Sequence, residues 1–290
     1  MDKLKDKKLY YVGGVVRDEI LGATSFDTDF CCEGNAIEFA EKKQLNIIKR
    51  NPDFGTVRVL HREKEIDIAS TRTEAYPKAG HLPIVSNIGC PLKDDLKRRD
   101  FTINSMAKNT LTGEITDPFG GKFDIEKKQI RVLHNNSFID DPTRIIRALK
   151  FSVRFGFELS EETKKMQEEY LDNINYDMSY HRLKKELTET FNLNSAEAFD
   201  RFIEQGIYKL LGKNQKKIDV KGNLIKNTID STTYTPWLIY MSFFDLSNIP
   251  LTRKEMSILE WAGKLKTQKS NNNTPKESVL IYNLRKESGC

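Results

Sequence analysis

The sequence predicts an α+β protein: a mixed β-sheet with flanking helices in the N-terminal part, then helices alone. Two observations carry this. Runs of strand length, apolar or alternating, alternate with short helical patterns over the first 70 residues. From Asp140 onward the apolar residues recur at helical spacing, and no convincing strand pattern follows.

The first strand is the apolar run at residues 9–12. Gly13 and Gly14 follow at once. A glycine pair after a strand lets the backbone approach a ligand and turn its N–H groups outward. Residues 15–21 then show helical spacing, with Val16, Ile20 and Leu21 on one side, and Gly22 ends the helix. Strand, Gly-Gly and helix make a phosphate cradle, with Arg17 one turn into the helix. Phe26-Asp27-Thr28-Asp29-Phe30 comes next. As a strand it projects Asp27 and Asp29 from one face, where two carboxylates repel unless a cation sits between them. Mg²⁺ commonly joins such carboxylates to substrate phosphates. Taken alone, an Asp-x-Asp is also ordinary turn chemistry.

Residues 35–43 read as a second helix, and residues 45–49, 56–61 and 65–69 as strands. The last places Asp67 on one face with Glu65. Asp67 stands beside Asp27 and Asp29 if its strand neighbours theirs; otherwise it is a solvent-facing residue. Residues 71–87 are rich in Pro, Gly and charge and read as a mobile loop. Residues 91–99 read as a helix ending in Arg98-Arg99-Asp100. Residues 101–107 form an apolar-spaced segment with Asn104 embedded, Asp117 to Gly121 a tight turn, and residues 129–134 a strand.

Asp140-Asp141-Pro142 is good chemistry for a helix start. That helix runs to about Phe155, with Ile145, Ala148, Leu149 and Val153 as its apolar stripe, and Gly156 closes it. Arg144, Arg147 and Lys150 recur every three residues on one face. Residues 161–173, 181–191, 196–211, 237–244 and 254–265 are further helical candidates, and residues 267–276 are polar and loose.

Composition sets the class. With 38% hydrophobic and 31% charged residues the chain is an ordinary globular protein. No apolar run approaches the roughly 20 residues needed to span a bilayer, so no membrane partner is expected. The N-terminus has no signal-peptide pattern, and cytoplasm is the expected compartment. Cys31, Cys32, Cys90 and Cys290 have neither zinc nor disulfide spacing and read as free thiols. The net charge of +5 is compatible with a polyanionic partner.

Five motifs in order resemble the class II tRNA nucleotidyltransferase and bacterial poly(A) polymerase family, within the polymerase-β-like nucleotidyltransferase superfamily. They are GGVVRDEILG followed by FDTDF, DDLKRRDFTINSMA, DPFGG, DDPTRIIRALKFSVRFGF and HRLKKEL, within residues 9–189. The resemblance implies a head domain over residues 1–136, a helical neck over 137–205 and a helical body over 206–290. It implies transfer of CMP or AMP from CTP or ATP onto an RNA 3′-hydroxyl, that of tRNA in a CCA-adding enzyme. Asp27 and Asp29 are then the expected Mg²⁺ ligands and catalytic acids; Asp67 is a third catalytic candidate from its strand position, not from the resemblance. Gly13, Gly14, Arg17, Arg99, Asp100 and Asn104 are expected to bind the nucleotide. Asp141 and Arg144 would recognise the base edge, with Arg147 assisting. An acceptor suits the amino group of C or A, and a donor suits a ring nitrogen or carbonyl. Asp141 also reads as a plain helix cap.

Two positions depart from the family pattern. Asp140 stands where Glu is usual, and Lys150 where many members carry arginine. Addition of CC only, of A only, or of poly(A) shares these motifs. A non-catalytic RNA-binding protein would have no need of the paired acids. A nucleotidyltransferase for an antibiotic or protein leaves residues 140–157 without a role.

Overall fold

In the computed structural model, which describes residues 3–24, 28–230, 233, 235–271 and 273–289, the glycine pair joins β1 (Leu9–Val12) to α1 (Gly14–Ile20). Gly13 has φ 71°, a conformation that favours glycine. The strand expected at residues 26–30 begins later: β2 is Phe30–Cys32. Its three side chains are buried, whereas Asp29 is exposed and lies ahead of the strand. There the Asp29 carbonyl accepts the Val12 amide at 3.1 Å. Phe26 and Asp27 lie outside the described residues.

Next come α2 (Ala36–Lys42), β3 (Asn46–Asn51), β4 (Thr56–His61) and β5 (Lys64–Ser70). The Asn35 side chain caps α2 by accepting the Ile37 amide at 2.9 Å. Arg62 and Glu63, both at positive φ, turn β4 into β5. The expected loop at residues 71–87 is instead largely a hairpin, β6 (Arg72–Ala75) with β7 (Ile84–Ile88). Pro77 and Gly80 fall in its connection, so they do not interrupt either strand. The hairpin is tied by charge as well as by its ladder: Glu74 accepts from Arg72 and Arg98, each at 2.9 Å.

The chain continues through α3 (Leu92–Lys97), a 3₁₀ turn (Thr102–Asn104), β8 (Ala107–Asn109), β9 (Ile115–Thr116) and α4 (Gly121–Glu126). The tight turn before α4 is built by Asp117, whose carboxylate accepts the Gly121 and Lys122 amides at 2.7 and 2.9 Å. Then follow β10 (Gln129–Ile130), α5 (Ser137–Asp140), α6 (Thr143–Phe155) and β11 (Glu158–Leu159). β11 corrects the expectation of helices alone beyond Asp140. It pairs in parallel with β10, and two residues are too few to leave a periodicity.

The remaining helices are α7 (Glu161–Asp172), α8 (Tyr180–Phe191), α9 (Ala196–Glu204), α10 (Gly222–Thr228), α11 (Pro236–Met241), α12 (Arg253–Lys264) and α13 (Lys276–Glu287). The helix expected over 196–211 is broken at Gly206, which has φ 71° and starts a separate 3₁₀ turn. α10 and α13 were not anticipated by periodicity.

The chain divides into two compact units, Met1–Ser137 with Glu158–Thr163, and Phe138–Phe157 with Lys164–Cys290. The first holds a seven-stranded mixed sheet in the order β3-β4-β5-β2-β1-β8-β9, with β2 and β5 parallel. One core packs Leu9, Phe30, Val57, Val59 and Ile68 with Ala36 and Ala40 of α2. Another packs Val12, Cys31 and Ala107 with Leu92 and Leu96 of α3. The second unit is centred on aromatic contacts: Phe191 lies 5.3 Å from Phe202 and 5.5 Å from Tyr240, ring to ring. Among the described residues no helix is long and apolar enough to cross a membrane.

Candidate functional site

The strand–Gly-Gly–helix segment forms as expected, with one difference. The Gly13 N–H does not face outward, because it donates to the Met106 carbonyl at 3.2 Å. Arg17 is buried and fixed from two sides. Its Nε and Nη2 donate to Asp18 Oδ1 at 2.8 and 2.7 Å, and its Nη1 donates to the side-chain Oδ1 of Asn104. The Asn104 amide in turn donates to Asp100 at 3.0 Å, and Asp100 also accepts the Phe101 amide at 2.8 Å. Arg17, Asn104 and Asp100, 87 or fewer positions apart in the chain, thus form one hydrogen-bonded series.

Arg99 crosses above Gly13. A Cβ added to Gly13 would stand 2.9 Å from Arg99 Nη1, so the close approach depends on glycine. Arg99 Nη2 donates to Asp95 at 3.0 Å, while its buried Nε has no hydrogen-bond partner among the described residues. A buried guanidinium nitrogen left unpaired is costly unless a ligand atom meets it.

Asp95 is the anchor of this arginine, and sequence reading missed it. It is fully buried, and it accepts from Arg98 at 2.9 and 2.8 Å and from the Arg72 amide at 3.1 Å, besides Arg99. Burial alone would push its carboxyl up, but the Arg99 and Arg98 guanidiniums outweigh burial and hold it below the ordinary aspartate value. A depressed folded-state pKa contributes stability above the unfolded-state value and loses it as pH falls through the folded one. We therefore expect the urea midpoint of the wild type to drop progressively below about pH 4. Asp95→Asn should lower the midpoint at pH 7 and flatten that acid drop; an acid drop of unchanged steepness would show that Asp95 is not the group responsible.

A cleft of about 410 Å³ opens beside Arg99, lined also by Val12, Asp29, Lys49, Arg58 and Asp67. The pairing of Phe30 with Ile68 sets Asp29 and Asp67, one residue earlier on each chain segment, at the same level. Of the two alternatives left open for Asp67, its strand β5 does neighbour β2, ahead of which Asp29 lies, and its side chain is also exposed to solvent. The Asp67 carboxylate is held bidentately by Arg58, Nε to Oδ1 and Nη2 to Oδ2, each at 2.8 Å. Both side chains are exposed, so the pair is weakly bound. The donors are of the kind Mg²⁺ takes, carboxylate oxygens on exposed side chains, those of Asp67 being paired with Arg58 here. Among the described residues, however, no group of three His, Cys, Asp or Glu could hold a metal ion.

In the second unit Asp141, Arg144 and Arg147 come together with residues of α8. Asp141 and Arg144 are 4% and 3% exposed. Asp141 Oδ1 accepts from the Thr143 amide at 3.1 Å and hydroxyl at 2.6 Å, so it serves the first amide of α6 from one residue ahead of the N-cap, Pro142. Its Oδ2 accepts from Arg182 and lies 4.0 Å from Arg144 Nε. Arg147 donates to Glu186 at 3.1 Å. Lys150 donates to Glu186 at 2.8 Å and to Glu189 at 2.7 Å. Arg182 and Glu186 were not singled out, although the HRLKKEL spacing places them on one face of a helix.

Cys31, Cys32 and Cys90 are free and buried. Burial pushes their thiols up, that of Cys32 to about 12, so none is a thiolate nucleophile at neutral pH.

Comparison with known proteins adds four findings. Residues 9–131 match the family model described as the Poly A polymerase head domain. An A-adding tRNA nucleotidyltransferase of Aquifex aeolicus (strain VF5) is 45% identical over 165 residues, covering 55% of this chain and 20% of that protein. A solved CCA-adding enzyme in its apo form II shares 26% identity with a TM-score of 0.78, covering 95% of this chain and 75% of that one. A Thermotoga maritima CCA-adding enzyme complexed with tRNA shares 27% identity with a TM-score of 0.70, covering 97% of this chain and 77% of that one. The chain spans from about a fifth to about half the length of the curated relatives it matches.

Proposed function

We propose that this chain, which belongs to the tRNA nucleotidyltransferase family, adds C and A to tRNA 3′ ends from CTP and ATP and releases pyrophosphate. The observation that carries this reading is the cleft in which Asp29 and Asp67 stand level on neighbouring segments, with Arg99 at the glycine-pair end. It acts in the cytoplasm. Its parts are a head over residues 1–136, a neck over 137–205 and a body over 206–290.

In this reading Asp27, Asp29 and Asp67 hold Mg²⁺. When bound, the metal supplies positive charge at the attacking 3′-oxygen and at the leaving pyrophosphate. Gly13 and Gly14 let the triphosphate approach the backbone, and Arg99, whose Nη1 lies against Gly13, adds positive charge there. Arg17 supplies positive charge at the start of α1, kept in place by Asp18 and Asn104. Asp141 accepts from the exocyclic amino group of C or A, Arg144 donates to the ring edge, Arg182 holds Asp141 in place, and Arg147, paired with Glu186, assists. No protein nucleophile takes part.

A second reading, addition of A only, is favoured by the name of the Aquifex aeolicus relative. One experiment separates them. The purified chain is offered tRNA transcripts ending before CCA, after C and after CC, with each nucleoside triphosphate and Mg²⁺. Extension of all three by C and A supports CCA addition. Extension of only the CC-ended transcript, by A alone, supports the second reading. Binding without extension would mark a non-catalytic RNA-binding protein and overturn both.

A further inference from the structure

The cleft has a second end that the reaction chemistry above does not use. The register of the sheet fixes a row across four neighbouring segments. Lys49 of β3 pairs with Arg58 of β4, Arg58 pairs with Asp67 of β5, and Asp67 stands level with Asp29 ahead of β2. All four line the same cleft. The row therefore reads two cations followed by two acids.

Lys49 reaches this row through an irregularity. Ile47 pairs with Val59, so unbroken alternation would bring Ile48 opposite Arg58. The register shifts between Ile47 and Lys49, and Lys49 takes the place instead. A bulge beside a site is a means of re-aiming one side chain. The result is an exposed ammonium that pairs with no carboxylate among the described residues, in contrast to Arg50 next to it, which pairs with Glu41 at 3.1 Å.

Position along the row indicates the ligand. The acids lie between the Gly13 and Arg99 end, on the β1 side, and the Lys49 and Arg58 end, on the β3 side. If the triphosphate enters from the glycine end, the acceptor strand must arrive from the other. Lys49 is two strands from Asp67, roughly 10 Å by strand spacing, beyond reach of the reacting phosphate and within reach of a neighbouring one. Arg58 is exposed, and its pair with Asp67 is weak enough to share a donor with a phosphate.

We infer that Lys49, with Arg58 behind it, seats a backbone phosphate of the acceptor RNA strand just before its 3′ end. This rests on the reading of function given above. The experiment compares wild type with Lys49→Gln and Lys49→Arg in the full chain. It measures KM for RNA and for each nucleotide, and RNA affinity without nucleotide across a salt series. Lys49 is exposed and forms no ion pair among the described residues, so its replacement disturbs little of the fold. Lys49→Gln should raise the KM for RNA by about three- to tenfold, leave the nucleotide KM in place, and reduce the log–log salt slope by roughly 0.7 to 1. Lys49→Arg should restore both. A raised nucleotide KM with an unaltered RNA KM would assign the phosphate to the triphosphate and overturn the proposal, as would unaltered RNA affinity and slope. The two failures are distinguishable: a wild type that adds no nucleotide sinks the reading of function, whereas unaltered RNA binding by Lys49→Gln sinks only the phosphate seat.

Discussion

Asp29→Ala is expected to reduce nucleotide transfer by about a thousandfold or more, and Asp27→Ala to do the same. The size follows from what a carboxylate pair provides. Charge stabilisation at the reacting oxygens by metal is worth several kcal/mol, and about 1.4 kcal/mol corresponds to a factor of ten in rate. The fold should survive the Asp29 change, because Asp29 is exposed and its carbonyl, which the substitution leaves in place, accepts the Val12 amide. Unfolding should shift by no more than about 0.5 kcal/mol. Single-turnover extension of a radiolabelled tRNA transcript, with a urea midpoint measured on the same preparation, checks both halves. A variant that stays folded and retains transfer with Mg²⁺ would remove the acids from the mechanism.

Arg144→Ala is expected to loosen base choice more than it slows transfer of the correct base. A charged hydrogen bond in a buried position contributes about 1.5–3 kcal/mol, so the preference for C and A over U and G should fall ten- to a hundredfold or so. Arg144 is buried at the start of α6, and its Asp141 partner keeps Arg182 and Thr143 when the arginine is gone. The acceptor half of the base-reading pair therefore stays in place. Competition between nucleotides in a single reaction measures the preference directly. An unchanged preference would take Arg144 out of base selection and leave Asp141 serving the start of α6.

How far the sequence could be read depends on what each element rests on. β1, α1 and β4 were legible because apolar periodicity and glycine punctuation agree there. The β6–β7 hairpin was not, since Arg72 and Glu74 hold it through Arg98 and through strand hydrogen bonds, and neither leaves an apolar pattern. α13 escaped for a related reason: its apolar residues Val279, Leu280, Ile281 and Leu284 bunch rather than recur. In the site, the acids and the arginine of the RRD motif stood out by residue type. Asp95 did not, because Asp94 stands directly beside it and only burial tells the two apart; its spacing of three and four to Arg98 and Arg99 was the available clue. The Arg58 pairing with Asp67 was also countable. A two-residue turn at Arg62-Glu63 fixes every partner in that hairpin.

The interruption of the first unit has a consequence for how the protein is made. Its sheet strand β10 finds its parallel neighbour only after the twenty-residue excursion from Phe138 to Phe157. During vectorial synthesis the nascent head must wait for that excursion to leave the ribosome before its last strand can be matched. A gene fragment stopped at residue 137 would thus yield a head with an open edge at β10, whereas one carried through residue 163 contains every strand this unit needs.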